Sequence, residues 1–350
     1  MKYYAGIDTS LESSSVSVVD QDGKIFREAK VASQPAALIG WFLKLGVPLE
    51  RIGLEAGPLS QWLFAALRGA GLPVELIETR HARAAFATMI VKNDRKDGRG
   101  IAHLMRMGWY RPVHCKSLPA QEVRAILTSR KLVQKKLHDV EMHLRGILRN
   151  FGLKVGRTTP KGFAGRVREL VVGHPTLEMI AAAMLPIHEV LLREFAGFER
   201  RVRAIARAEK DVRRLMTAPG VGPVVGLTFA AAIDDPSRFT SSRTVGAHFG
   251  MTPTKYQSGE TDIDGGISKA GDASVRAALY EAAHVMLTRR VKGSTLKSWG
   301  MRLAKRSSMK NAKIAVGRKL AVILHRMWVD GTDFDFSRGE KHALPQTKAA

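Results

Sequence analysis

The first 112 residues carry the pattern that most constrains the fold of this chain. Three apolar, strand-like stretches come first, and the turn sequence "DQDGK" separates the second from the third: "KYYAGID", "SSVSVVD" and "KIFREAKVA". Helical sequence then alternates with short apolar runs: "AALIGWFLKLG" precedes "RIGLEA", "SQWLFAALRGAG" precedes "PVELIE", and helical sequence resumes near Arg80. A meander followed by alternating helices and strands predicts a mixed α/β sheet domain over residues 1–112.

Residues 113–215 are predicted to be helical, since the sequence shows no strand signal between about residue 117 and residue 215. Apolar residues recur at spacings of three and four from Val123 to Phe151 and again from Leu191 to Met216, and the segment "GLKVGRTTPKGF" separates the two runs. Arg130 and Glu209 interrupt them. The pattern predicts two long helices that form an antiparallel hairpin or an intermolecular coiled coil. It leaves open whether the seam belongs to a bundle or to a dimerisation arm, because heptads do not identify their partner.

A third region, residues 216–330, is predicted to be a helical domain around an irregular centre. The stretch "GMTPTKYQSGETDIDGGISKAGDAS" is too rich in Gly, Ser, Thr and Asp to be the interior of an element. Basic helical sequence follows in "VRAALYEAAHVMLTRR" and "KNAKIAVGRKLAVILHRM". Residues 331–350 are expected to be a flexible tail. The predicted fold class is therefore multidomain, α/β followed by all-α.

The charge of the chain indicates a polyanionic partner. Its 350 residues include 56 Lys and Arg against 32 Asp and Glu, a formal net charge of +24. Nucleic acid is the first expectation, because neutralised phosphates release counterions. A membrane surface is the weaker alternative, since no uninterrupted apolar run reaches about 18 residues. The start "MKYYAGIDTS" lacks a signal-peptide pattern and Cys115 is the only cysteine, so we expect a cytoplasmic, nucleoid-associated protein without internal disulfides.

Four carboxylates stand at the ends of predicted elements in the first region. Asp8 closes the first strand, Glu55 closes "RIGLE", and Asp94 and Asp97 lie three residues apart, on one face of a helix. Singly, such residues usually cap helices or face solvent. Held together, carboxylates repel one another unless a divalent cation neutralises them, and ligands that are all oxygen suit Mg²⁺, or Mn²⁺ in its place, better than zinc.

Two classes of enzyme share this arrangement of strands and acids. Ribonuclease H-like nucleases place an Asp in the first strand, an acid after the fourth strand and acids on a late helix. Sugar kinases of the actin-like ATPase class also open with "GID" and a hairpin, but they need further Gly-rich phosphate loops. The only later candidate for such a loop is "DIDGG" at residues 262–266, and a kinase has no use for the positive charge.

Six motifs follow one another along the chain: "GIDTS", "GLEAG", "KNDRKD", "PGVGP", "YQSGE" and "SKAGDASVRAALY". Together they resemble one family, the DEDD transposases of the one-ten family of insertion sequences, whose members are guided by a structured bridge RNA. The resemblance runs in order from about residue 4 to residue 330 and is most specific downstream. Two departures occur: "KNDRKDG" stands where the family commonly has Lys-Thr-Asp and then Asp-Ala, and "GLEAG" lacks the usual Thr. Neither removes a carboxylate.

The resemblance implies roles for five residues. Asp8, Glu55, Asp94 and Asp97 match the family's RuvC-like tetrad, which binds Mg²⁺, and Ser258 matches the serine that attacks a DNA phosphodiester and becomes a phosphoserine. The site would be composite, and the family suggests that it forms between protomers of a homo-oligomer, a dimer that assembles to a tetramer. From the residues alone, a Ser-Gly pair in a polar loop is usually a turn, and other serines are equal candidates for a nucleophile: Ser241, Ser242 and Ser268.

Five further residues are candidates for nucleic-acid contacts. Gly220 and Gly222 in "PGVGP" would turn two helices and aim backbone amides at a phosphate, although a plain interhelical turn explains them equally well. Lys255, Lys269 and Arg276 belong to a strongly basic region, and phosphate contacts of this kind carry no sequence information. In the resembling family the bridge RNA reads the sequence by base pairing.

The sequence thus predicts a Mg²⁺-dependent DNA transposase that excises and inserts a mobile element. One alternative is a Holliday-junction or other structure-selective endonuclease that uses the four acids without a covalent step. The other is a non-catalytic nucleic-acid-binding scaffold.

Overall fold

The computed structural model describes residues 1–78, 94–258 and 261–337. The chain divides into two compact units, the first ending at Lys116 and the second beginning at Ser117. The predicted boundary at residue 112 lies close to this division. The predicted boundary near residue 215 falls inside the second unit.

The first unit contains a five-stranded sheet in the order β3-β2-β1-β4-β5. The first three strands are antiparallel neighbours, whereas β4 runs parallel to both β1 and β5. Asp20 fixes the turn between β2 and β3, because its Oδ1 accepts hydrogen bonds from the backbone of Asp22 and Lys24, both at 2.9 Å. The mixed sheet predicted from the sequence is confirmed. Its strands are β1 (Tyr3–Thr9), β2 (Ser13–Asp20), β3 (Ile25–Ala32), β4 (Leu49–Glu55) and β5 (Val74–Ile77).

Helices cover both faces of this sheet, and the residues on each face explain how. The two helices α1 (Pro35–Leu43) and α2 (Ser60–Gly69) pack against the large side chains of one face in a buried core. The other face carries glycines, and helix α3 (Asp94–Met107) packs there. The core of the first face includes Ile7, Leu38, Ile52, Leu54, Leu63 and Leu67.

Two long helices begin the second unit, α4 (Leu118–Asn150) and α6 (Pro175–Ala208), with the short helix α5 (Phe163–Val171) between them. Arg130 pairs with Glu199, and His188 Nε2 lies 3.0 Å from Glu141 Oε1. The later residue of α4 therefore contacts the earlier residue of α6, so the two helices are antiparallel within the chain. A role for this hairpin as a coiled-coil dimerisation arm stays a prediction.

The rest of the second unit is mainly helical. Among residues 331–337, assigned to the tail from sequence, Phe334 is buried: it is only 6% exposed, and its backbone N–H donates to Thr217 Oγ1 at 2.9 Å. The other tail residues, 338–350, lie outside the described part. The elements are α7 (Lys210–Leu215), α8 (Pro223–Ile233), α9 (Val245–His248), β6 (Pro253–Ser258), β7 (Thr261–Ile267), α10 (Ala273–Thr288), α11 (Thr295–Arg306) and α12 (Met309–Asp330), with 3₁₀ turns at Pro236–Arg238 and Ser242–Thr244.

The prediction of an irregular stretch at the centre of this region was wrong. Strands β6 and β7 form an antiparallel ribbon in which Tyr256 pairs with Ile263 and Ser258 with Thr261. All six residues of β6 are exposed. A ribbon with an exposed strand lacks the alternation of apolar and polar residues that identifies strands in a sequence, so its β-formers pass unnoticed among Gly and Asp.

Helix α6 is long and apolar enough to cross a membrane by length and composition, with a mean hydropathy of 1.3 over an 18-residue window. The sequence predicts no such segment when only uninterrupted apolar runs are considered. Only 22% of that window is buried, but its buried residues Leu177, Ala181 and Leu185 belong to a core shared with α4 and α5. Core helices of proteins that never enter a membrane can be equally long and apolar.

Candidate catalytic site

Asp8 and Glu55 stand side by side at the carboxyl ends of neighbouring parallel strands. Ile7 pairs with Leu54, and the next residue on each strand is Asp8 on β1 and Glu55 on β4. Alternate residues of a strand share a face, so Asp8 shares the face of Gly6, which α3 covers. Glu55 shares the same face with Gly53, which also contacts α3. Both acids are partly buried and line one cavity of about 840 Å³.

The direction of α3 brings Asp97 to the same end of the sheet. A Cβ on Gly98 would lie 2.9 Å from the carbonyl oxygen of Ser15, the ladder partner of Asp8. At the other end of the helix, the carbonyl of Met105 accepts a hydrogen bond from Arg51 Nη1 at 3.2 Å. The amino end of α3 therefore lies at the Asp8 end of the sheet. Asp97, which immediately precedes Gly98, is partly buried there.

The fourth predicted ligand, Asp94, begins α3, but its side chain lies outside the described residues. Among the side chains that are described, no three from His, Cys, Asp and Glu are grouped so as to hold a metal ion. Asp97 does not line the cavity of Asp8 and Glu55. The described geometry thus brings two of the four acids into one cavity and a third to the same end of the sheet.

An ion pair that the sequence analysis did not single out anchors α3. Arg99 Nη2 donates to Glu28 Oε2 at 2.7 Å, and Ser17 Oγ donates to Glu28 Oε1 at 3.1 Å. The hydrogen bond to Glu28, together with its charge, raises the pKa of Arg99 despite the opposing effect of burial. Because Glu28 lies on β3, the pair fixes the helix that carries Asp97 across three strands. The ion pair could have been predicted only by matching an acid on a strand with a cation on a helix 71 residues away in the sequence.

The cavity also contains a cation that sequence reasoning missed. Lys30 on β3 lines it together with Asp8, Glu55 and Glu12. Its ladder position faces Ser15, and Ser15 in turn faces Asp8. An alternating strand such as "KIFREAKVA" gives no sign of which Lys borders the acids until the register is known.

Ser258 is the last residue of β6 and is exposed. The other serines differ in their surroundings: Ser241 Oγ accepts from the Arg243 backbone at 3.3 Å as the cap of a 3₁₀ turn, and Ser242 Oγ lies 2.9 Å from Nδ1 of the buried His325. Ser268 is exposed and its backbone N–H donates to Thr252. Ser258 therefore lies at the end of an exposed strand, whereas the hydroxyls of Ser241 and Ser242 already have hydrogen-bond partners.

The basic candidates occupy three different settings. Lys255 Nζ lies 2.9 Å from Asp262 Oδ2 across the ribbon. Lys269 is exposed and adopts a left-handed backbone with φ of 54°. Arg276 Nη1 donates to the carbonyls of Ala270 at 2.9 Å and Gly271 at 3.0 Å, which fixes the loop before α10. Arg276 therefore has a structural use whether or not it meets phosphate.

The two glycines of "PGVGP" also differ. Gly220 has φ of 85°, and a Cβ there would lie 2.2 Å from the carbonyl oxygen of Ala282, so this glycine permits close packing on α10. Gly222 is the N-cap of α8, with Pro223 at the first helical position, and a Cβ there would meet nothing within 4 Å. Packing thus explains Gly220, while Gly222 begins α8 without a side chain that could cap it.

Comparison with known proteins agrees with this arrangement. A family model described as "Transposase", for DEDD transposases of the IS110 type, matches residues 5–152, which include the four acids. A second, described as "Transposase IS116/IS110/IS902 family", matches residues 212–298, which include Ser258.

Curated relatives extend the match over most of the chain. The transposase for insertion sequence element IS1111A of Coxiella burnetii is 28% identical over 91% of this chain and 87% of its own length. A probable family 20 transposase of Pseudomonas aeruginosa is 25% identical over 78% of this chain and 82% of its own. Among solved structures, T. thermophilus RuvC in complex with Holliday junction substrate aligns over 32% of this chain and all of that chain, at 16% identity and a TM-score of 0.25. The chain belongs to the IS116/IS110/IS902 family of transposases, enzymes that cleave and transfer DNA.

Proposed function

We propose that this transposase cleaves DNA with an acid site on its sheet and a serine on its ribbon. The observation that carries the proposal is the pairing of Asp8 and Glu55 at the ends of β1 and β4, on the face covered by α3 and in one cavity. Two adjacent carboxylates beside the amino end of a helix that carries two more are an oxygen-rich donor set. Such a set fits a divalent cation.

Asp8, Glu55, Asp94 and Asp97 would hold this ion, which we assign as Mg²⁺, with Mn²⁺ as a substitute. When bound, it supplies positive charge beside the scissile phosphate and stabilises the charge of the transition state. The acids orient the site and lose their mutual repulsion when the cation is present. The Glu28–Arg99 pair holds α3, and therefore Asp97, in place.

Ser258 is proposed to be the nucleophile. Its Oγ gives up its proton and bonds to phosphorus while the bond from phosphorus to the leaving deoxyribose oxygen breaks, and that oxygen takes up a proton. The product is a phosphoserine that conserves the energy of the phosphodiester for rejoining. The exposed position of Ser258 at the end of β6 allows a DNA strand to approach it.

We further propose that a bridge RNA selects donor and target DNA, and that the working complex is a homo-oligomer acting in the cytoplasm. The net charge of +24 supports two nucleic-acid partners. The α4–α6 hairpin is a candidate dimerisation arm because it is long and carries exposed apolar residues along α4 and α6, among them Leu132, Met142, Met179 and Ile187.

The decisive experiment is to trap a covalent complex with a labelled element end. Wild-type protein should yield a DNA strand linked to protein, and Ser258→Ala should abolish it, whereas the control Ser268→Ala should retain it. Cleavage that survives in Ser258→Ala would instead favour a structure-selective nuclease that needs only the acids.

A second variant addresses the scaffold alternative. Asp8→Asn keeps the size of the side chain while removing its charge, so we expect cleavage to fall by at least a hundredfold while DNA binding remains. If Asp8→Asn left cleavage unchanged, the acid site would have no catalytic part.

A further inference from the structure

A second cavity lies at the foot of the ribbon, within the second unit. It has a volume of about 700 Å³, in the range of about 300–1,000 Å³ common for small-ligand sites. One part of its wall is apolar and includes Met251, Ile267 and Trp299, which come from the start and end of the ribbon region and from α11. Another part is polar and cationic.

Three cations border this cavity: Arg243, Arg318 and Lys319. The described residues that line the cavity include no Asp or Glu. Lys319 Nζ lies 3.7 Å from the centre of the Trp299 ring, and partial burial lowers the pKa of this lysine. Positive charge therefore lines the same cavity as an aromatic, apolar surface.

We propose that this cavity binds one nucleotide of a single-stranded nucleic acid. The phosphate would lie against Arg243, Arg318 and Lys319, and the base would pack on the apolar wall that contains Trp299. Flat bases and aromatic rings associate without regard to sequence, and cations beside them follow the backbone. A base inside a duplex is already stacked and cannot enter a cavity, so the site discriminates single strands from duplexes.

The location of the cavity supports this choice of ligand. Pro253, the first residue of β6, lines it, and the same strand ends at Ser258, roughly 17 Å away at about 3.3 Å per residue. A nucleic-acid strand bound at the foot of the ribbon could therefore extend along the ribbon toward Ser258. An anionic lipid or an acidic peptide would satisfy the cations but would leave the aromatic wall without a stacking partner.

The inference rests on nucleic acid as the substrate of the family and not on the chemistry of Ser258. It can fail while the proposed cleavage mechanism holds, and the reverse is also true. The test is accordingly an equilibrium one, carried out with the full chain carrying Ser258→Ala so that strand cleavage does not interfere.

The experiment maps contacts by photocrosslinking. A ten-nucleotide oligothymidylate with one 5-bromouracil, and its oligouridylate counterpart, are irradiated with the protein, and the linked peptides are identified by mass spectrometry. We expect crosslinks at Trp299 or Met251, with the DNA and RNA arms showing which strand is preferred. Crosslinks confined to other regions would overturn the proposal, as would stronger competition by anionic vesicles or polyglutamate than by unlabelled strand.

Matched variants give the second readout. Trp299→Ala should weaken single-strand binding roughly tenfold, whereas Trp299→Phe should restore it because a flat ring is kept. Lys319→Gln should reduce the slope of log K against log salt by about 0.7, the value for one phosphate contact on a single strand. The exposed Lys310, on α12 but outside the cavity, is the control, and Lys310→Gln should leave the Trp299 crosslink unchanged. Equal binding by the Ser258→Ala chain with and without Trp299→Ala would refute the site.

Discussion

At the scale of single residues, Asp272 shows how one carboxylate can serve two elements. Its Oδ1 accepts from the backbone of Ser274 at 2.8 Å as the N-cap of α10, and its Oδ2 accepts from Arg124 Nη1 on α4 at 2.6 Å. Burial alone would raise its pKa, but the Arg124 hydrogen bond and charge and the capping bonds outweigh burial and hold the pKa below its usual value. The charged form is therefore favoured by folding.

Replacing Asp272 by Ala should destabilise the fold by about 1–2 kcal/mol, because both the cap and the partner of Arg124 are lost. A carboxylate with a lowered folded pKa contributes stability that is complete above the unfolded value of 3.8 and is lost as the pH falls below it. Urea unfolding from pH 7 to pH 3 should thus show a smaller acid loss in Asp272→Ala. As a control, Asp330→Ala removes only a surface pair and should cost less than about 0.5 kcal/mol.

For His325, folding favours the neutral form of the side chain, whereas for Asp272 it favours the charged form. Its Nε2 donates to the carbonyl of Pro236 at 3.1 Å, so Nδ1 carries the lone pair that accepts from Ser242 Oγ. Burial lowers the pKa of this histidine, although the bond to Pro236 opposes the shift. Stability from neutral His325 is present above about pH 6.5 and is lost as the pH falls toward the lowered folded pKa.

The test compares urea unfolding of wild type and His325→Asn between pH 7.5 and pH 5. The variant is expected to be less stable at pH 7.5 and to lose less stability on acidification. An identical pH dependence in the two proteins would show that His325 does not titrate on unfolding.

At the scale of elements, helix α3 determines whether acids far apart in sequence can meet. It lies against β1 and β4 because both strands carry a glycine beneath it: a Cβ on Gly6 would be 2.2 Å from the carbonyl oxygen of Gly98, and one on Gly53 would be 2.6 Å from Ile101 Cγ2. Any side chain at Gly6 would lift the helix and shift Asp97 relative to Asp8.

Gly6→Ala should therefore destabilise the protein by roughly 2–4 kcal/mol and reduce cleavage, since the obstructing atom is backbone and cannot rotate away. Gly40→Ala is the matched control: Gly40 lies within α1, and a Cβ there meets nothing within 4 Å. It should be neutral or stabilise by roughly 0.5–1 kcal/mol, the usual difference between Ala and Gly in a helix. Thermal unfolding and cleavage assays distinguish the two, and equal effects would contradict close packing of α3 on β1.

At the scale of the whole molecule, the excess of cations governs binding. Most of the charge of +24 lies in the second unit, where some cations have local partners, such as Arg130 with Glu199 and Lys255 with Asp262. The remainder supply an attraction for nucleic acid that is independent of sequence.

DNA affinity should accordingly fall linearly in log K against log salt, with a slope of about −0.9 for each duplex phosphate contacted. Contact with roughly six to ten phosphates would reduce affinity about 10³- to 10⁵-fold between 50 and 200 mM salt. Fluorescence anisotropy with a labelled duplex measures the slope. A slope near zero would mean that the positive charge does not contact phosphate.

Some features of the fold could be predicted from the sequence and others could not. The meander and the "DQDGK" turn follow from alternation and a short turn, which are local, so they were correct. The ribbon of β6 and β7 was missed because an exposed strand has no buried face to produce a pattern. The burial of Phe334 could not be predicted either, since burial of one aromatic residue by a distant core leaves no pattern in the neighbouring sequence.

By itself, the sequence determined the strands of the sheet, the long helices, the positive charge and the identities of the acids, because each depends on the chain's own composition and on residues a few positions apart. Only the tertiary structure decided that Asp8 and Glu55 share a face and a cavity, that Arg99 secures α3 to β3, and that Trp299 lines a cavity together with three cations. Those relations depend on strand register and helix packing between residues tens of positions apart, and a linear pattern holds no record of such distances.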